Sequence, residues 1–221
     1  MSVTKETKRT LLLVLVFAMG FGFVESTVVV YLRGLYYPEG FHFPLAIMDR
    51  NFITIEVARE CATIVMLAAV SLLAAMRGWE RFGYFLVIFG LWDLFYYVWL
   101  KVLLNWPAAL TDWDVLFLIP LPWIGPVVAP VLLSVVMIIA GAMTVLRISS
   151  GGRFCFGMPS WVLSILGTIL VLYSFLSDTD ATLRGGIPAN YRYELLALSL
   201  IFYIISYALA LRIRESDRRS I

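Results

Sequence analysis

The sequence predicts an all-α integral membrane protein, a six-transmembrane-helix bundle with a proline-broken fourth segment. Three observations predict it. Of 221 residues, 62% are hydrophobic and only 14% charged, a balance far from that of soluble domains. Six apolar runs are each long enough to cross a hydrocarbon core, which takes about 20 residues. Those runs with short connections use nearly the whole chain as one transmembrane domain, 1–221, leaving no separate soluble unit. The net charge of +2 says little about nucleic acid or acidic partners; no nucleic acid is expected, and the lipid bilayer is the expected surroundings.

The spans fall at about 11–32, 52–76, 82–104, 124–147, 160–177 and 192–212. Lys5, Lys8 and Arg9 before the first run imitate a secretory signal. The run continues to Leu32 and carries Glu25, which reads as a retained span. From Val115 to Leu146 the chain would make a helix of about 48 Å, longer than a core of about 30 Å. Pro120, Pro122, Pro126 and Pro130 interrupt it. The expectation is a short interfacial helix over about 112–119 and a true span starting near Ile124. Cys61 and Cys155 lie at different depths on this topology, so no disulfide is expected.

Both termini are expected in the cytoplasm of an inner (cell) membrane, multi-pass protein. That arrangement puts eleven Lys and Arg inside, including Arg77, Arg81, Arg147, Arg212, Arg214, Arg218 and Arg219, against Arg33, Arg50, Lys101, Arg184 and Arg192 outside. Trp79 at one face and Tyr36, Tyr37, Trp106, Trp113 and Tyr191 at the other suit aromatic belts.

Ionisable residues within the spans mark the place to look for function, because each costs several kcal/mol in isolation in hydrocarbon. They are concentrated in spans one to three as Glu25, Glu56, Arg59, Glu60 and Asp93, whereas spans four to six hold no carboxylate until Glu194. On the expected topology all share the outer half of the membrane. Glu56, Arg59, Glu60 and Thr63 fall within an arc of about 100°, and Asp93, Tyr96, Tyr97 and Lys101 within about 140°. Three helices thereby direct polar stripes at one level, predicting an outward-opening site. Leu11–Ala18, Met66–Met76 and Phe82–Leu91 are almost free of polar side chains, which opposes a proton path across the whole membrane.

Four carboxylates face Arg59 and Lys101, or three cations if Arg33 reaches in. The excess carboxylate must be protonated, bound to a cation or hydrated. The leading expectation is a cation, a divalent metal such as Fe, Mn, Mg or Ca, ligated by Glu25, Glu56, Glu60 and Asp93 with His42 from the first outer loop. A redox-active metal would make the protein a membrane oxidoreductase or other metalloenzyme. Arg59, Tyr96, Tyr97 and Lys101 are the expected contacts for a lipophilic cofactor or substrate, a quinone or lipid-like molecule. Alternatives are a proton or cation transport component, and a structural subunit with buried ion pairs only, docking into a homo-oligomer or a larger membrane complex through spans four to six. One histidine makes haem b ligation implausible, and Asp112 and Asp114, in an outer turn, are candidates to reach the site.

Overall fold

The computed structural model describes residues 4–216. Its helices are α1 (Lys5–Tyr36), α2 (Arg50–Ala74), α3 (Gly78–Leu104), α4 (Val128–Ser149), α5 (Met158–Leu176), the short α6 (Thr179–Leu183) and α7 (Tyr193–Ser216). Between α3 and α4 lie strands β1 (Trp113–Phe117) and β2 (Trp123–Pro126). Six helices are long and apolar enough to cross a membrane, and the protein is a multi-pass membrane protein of all-α class. The six spans agree with the apolar runs to within a few residues, α1 being longer than expected at both ends. Arg218 and Arg219 of the expected basic anchor lie outside the described residues.

Side-chain caps set the starts of α1 and α2. Thr4 caps α1 by accepting from the Thr7 N–H, and Asp49 caps α2 by accepting from the Asn51 N–H at 2.8 Å. At the end of α3, Asn105 adopts a left-handed conformation with φ 53°, which releases the last turn. There Lys101 Nζ donates to the carbonyls of Asn105 and Pro107 at 3.2 and 2.9 Å.

The expected interfacial helix at 112–119 is corrected to the first strand of an antiparallel hairpin. Asp114 faces Gly125, and Val115 faces Ile124, with a bulge between Val115 and Phe117. Trp113, Val115 and Phe117 are aromatic or β-branched residues that favour a pleated surface, and the prolines at 120 and 122 prevent helical continuation. Asp112 does not open a helix but accepts from the N–H groups of Ala108 and Ala109, closing the preceding turn. The fourth span consequently starts at Val128, not at Ile124, with Pro130 in its first turn, where its missing N–H costs nothing. Non-helical backbone near a membrane needs protein around it. Trp123 stacks on Phe175 of α5 at 5.9 Å, and the Thr179 hydroxyl donates to the Pro122 carbonyl at 2.6 Å.

Helix α3 is the centre of the bundle, packing against α1, α2 and α4, while α5 pairs with α7. Small residues set the closest approaches. A methyl group built on Gly90 would lie 2.6 Å from the Ser134 carbonyl, and one on Gly141 would lie 2.5 Å from the Gly83 carbonyl. Gly22 likewise meets Phe95 and the Trp92 carbonyl of α3, whereas Gly20 faces open space. By contrast α1 and α2 make few close backbone approaches. Away from the hairpin, Val14, Ala18, Leu67, Tyr84, Val87 and Ile88 fill the bundle as one apolar cluster.

Gly141→Ala is expected to lower stability by about 1–3 kcal/mol, because two backbones must separate. Gly20→Ala, with nothing to strike, should leave it unchanged. Thermal unfolding of the detergent-solubilised variants measures both.

A candidate binding chamber between the first three spans and the hairpin

The gap between α1 and α2 is the wall of a cavity of about 980 Å³. Glu25, Glu56, Arg59, Glu60, Asp93 and Tyr96 all line it. The sequence-predicted convergence of spans one to three is therefore seen in the structure, at the end of the bundle that carries the hairpin. Most of the remaining wall is apolar, supplied by residues such as Val29, Leu32, Ile53, Val115 and Leu116.

The charged groups are organised by pairing. Arg59 Nη1 donates to Glu25 and its Nε donates to Glu56 Oε2 at 2.9 Å, so one guanidinium joins α1 to α2. Thr63 adds a hydroxyl donated to Glu25 Oε1 at 2.5 Å. This follows from the helical stripe, since Glu56, Arg59 and Thr63 project to one side of α2. Glu60, on the same stripe, accepts instead from the Leu118 N–H at 2.8 Å, just beyond β1. Asp93 accepts from the Ser134 hydroxyl of α4 at 2.7 Å. Neither Glu60 nor Asp93 has a cation within ion-pair distance among the described residues.

Several residues do not take the places expected from sequence. Lys101 is exposed and turned to carbonyls at its own helix end, outside the chamber wall. His42 is exposed and stands edge-on to Tyr37 at 5.6 Å, also away from the chamber. Tyr97 points its hydroxyl at Asp114 Oδ2, 3.5 Å away, while Tyr96 faces the cavity. Among the described residues, no three His, Cys, Asp or Glu side chains come together as a metal site. The physical reason lies in the pairing just described: Glu25 and Glu56 are turned onto Arg59, while Glu60 and Asp93 are turned onto different elements. Both cysteines are free.

A second buried pair completes the wall. Arg33 at the end of α1 donates from Nη2 to Asp114 Oδ1 at 2.9 Å, and both residues are more than nine-tenths buried. The guanidinium lies 4.4 Å from the Phe41 ring centre and 3.8 Å from that of Trp106, a placement that favours a planar cation. Among the described residues its Nη1 has no hydrogen-bond partner, and neither has Nε1 of Trp92, another wall residue. Asp114 and the contribution of Thr182 to Gly185 to the chamber were not part of the three-span site. Asp114 had one sequence signal, its place in an acidic outer turn. The end of α6 and the residues just after it had none, because their approach depends on how α5 packs against the hairpin. The chain matches no protein-family model, no curated protein and no solved structure.

Arg59→Met leaves two carboxylates facing each other without a cation. Breaking a fully buried pair costs about 3–5 kcal/mol, and Arg59, its side chain 23% exposed, should cost about 2 kcal/mol, with partial recovery on adding Glu25→Gln. Thermal unfolding of the single and double variants reads the cycle.

Burial pushes the Asp114 carboxyl up to about 6, against the pull of the Arg33 guanidinium. A raised carboxylate means that the folded state binds the proton more readily than the unfolded chain. Its contribution to stability is therefore greatest below about pH 4, declines as pH rises to about 6, and is flat beyond. The melting temperature of the wild type relative to Asp114→Asn is expected to fall across that window.

Proposed function

We propose that the protein binds a small amphiphilic molecule in this chamber, with polar groups held by the buried charges and apolar parts held by the wall. The observation that carries the reading is the chamber itself. Its volume of about 980 Å³ lies at the upper end of the range for small-molecule sites, and a mostly apolar lining with a few convergent polar groups is their usual chemistry. Buried ion pairs serving only stability would pack tightly, because each ångström of empty space forfeits contacts.

The cation expected from sequence is narrowed by the pairing. A metal would have to win Glu25 and Glu56 from Arg59, whereas an organic ligand can use Glu60 and Asp93 as they stand. The excess of Lys and Arg on the opposite loops supports a topology with cytoplasmic termini in the inner membrane. In that orientation the chamber faces outward and receives its ligand from outside or from the outer leaflet.

Native mass spectrometry of the protein released from detergent is expected to show one non-covalent adduct of a few hundred daltons per chain, the size such a cavity encloses. Val115→Trp, which fills the wall, should remove it. An adduct of a single metal ion's mass, lost in Glu60→Gln, would restore the metal reading. Bare protein in every preparation would overturn the binding reading.

A further inference from the structure

The charges on the chamber wall do not balance. Five carboxylates line it, Glu25, Glu56, Glu60, Asp93 and Asp114, against the guanidiniums of Arg33, Arg59 and Arg184. Each guanidinium is already engaged. Arg59 gives Nε and Nη2 to Glu56 and Nη1 to Glu25. Arg33 holds Asp114 and is stacked between Phe41 and Trp106, neither of which borders the cavity. Arg184, on an exposed side chain, pairs with Asp180 at 2.9 Å. An anion entering the chamber therefore meets no unengaged cation on the wall among the described residues.

Two carboxylates have no cation, and each offers an oxygen. Glu60 is 7% exposed. Its Oε2 accepts from the Leu118 N–H, while Oε1 has no hydrogen-bond partner among the described residues and is not sealed from the cavity. Asp93 commits Oδ2 to the Ser134 hydroxyl and leaves Oδ1 in the same condition. Glu56, one turn before Glu60 on the same face of α2, adds a negative charge beside it. That charge is only partly answered, because Glu56 shares Arg59 with Glu25.

A buried carboxylate without a cation takes up a proton or recruits positive charge. A bare metal ion needs several oxygens converging on one point, and no such group forms among the described residues. An organic ammonium needs less. One N–H donated to Glu60 Oε1 makes a charge-assisted hydrogen bond, and the carbon skeleton can lie on the apolar wall of Val29, Leu32, Ile53 and Leu116.

We infer that the ligand is a cationic amphiphile, a protonated amine on an apolar body, whose N–H is accepted by Glu60 and whose charge is further favoured by Asp93 and Glu56. This rests on the binding reading above and specifies its ligand class. Glu60 is then the residue that sets charge selectivity.

The test is equilibrium binding to the full chain in phosphatidylcholine nanodiscs at neutral pH, with empty nanodiscs as the blank. The probes share one chain length and differ in charge: octylamine, octan-1-ol and octanoate. Octylamine is expected to saturate one site per chain and to bind more tightly than the other two by about tenfold or more, the factor that one charge-assisted hydrogen bond contributes. In Glu60→Gln the advantage over octanol should largely vanish while octanol affinity stays unchanged. In Glu194→Gln, an exposed carboxylate away from the chamber, the advantage should persist. Octanol or octanoate binding the wild type as tightly as octylamine would overturn the inference and leave the chamber reading intact. A Glu60→Gln variant that keeps the preference, or a native adduct without an ionisable amine, would do the same. No saturable binding of any probe, with no native adduct, would overturn both. Because the probes are compared on the wild type, the charge preference is read even if a variant fails to fold.

Discussion

The single guanidinium of Arg59, held between Glu25 and Glu56, is the interaction on which the rest of this end of the molecule depends. Hydrocarbon offers a carboxylate no water, so a glutamate on a span needs another partner. Arg59 answers two at once, and in doing so bridges helices that scarcely approach each other by backbone. A pair of apolar helices with the same gap would close it, since nothing would hold them apart. The polar bridge keeps α1 and α2 connected and separate, and the cavity is the space that remains. The hairpin then roofs that space, because its own backbone and Asp114 need the partners that the helices supply: Arg33 for the carboxylate and Glu60 for the Leu118 N–H.

Two charge inventories are possible for such a site, and they lead to different chemistry. A count of side chains by depth leaves four carboxylates facing two or three cations. The structure reassigns the cations: Arg33 serves the hairpin's Asp114, and Lys101 serves the end of its own helix. What survives is the excess itself, now located on Glu60 and Asp93. The lysine's choice is local. Once Asn105 ends α3 in a left-handed turn, free carbonyls lie within reach of a side chain one turn back, and a solvated end is a less costly place for an ammonium than the interior.

The helices were legible because hydropathy and length speak for each span separately, with no long-range information needed. The shared depth of Glu25, Glu56, Arg59, Glu60 and Asp93 was legible for the same reason, since residue number along a spanning helix is a depth coordinate. What is lateral was not legible. Depth does not say that Glu60 turns to a strand and Asp93 to α4, nor that Arg33 finds Asp114 across 81 positions of sequence. Nor did proline spacing distinguish a broken helix from a hairpin. Both need the break, and the alternation of Trp113, Val115 and Phe117 was the only local sign of the second. His42 illustrates a different limit, because a residue in a loop has no depth coordinate at all.

The tightly packed apolar half, around Val14, Ala18, Leu67 and Ile88, gives the chamber an electrical property. A transmembrane voltage falls chiefly across low-dielectric material, and moving one elementary charge through all of it takes about 2.3 kcal/mol per 100 mV. Here that packed layer separates the cavity from the opposite face of the bundle, so part of any voltage falls across it and part across the apolar-walled chamber.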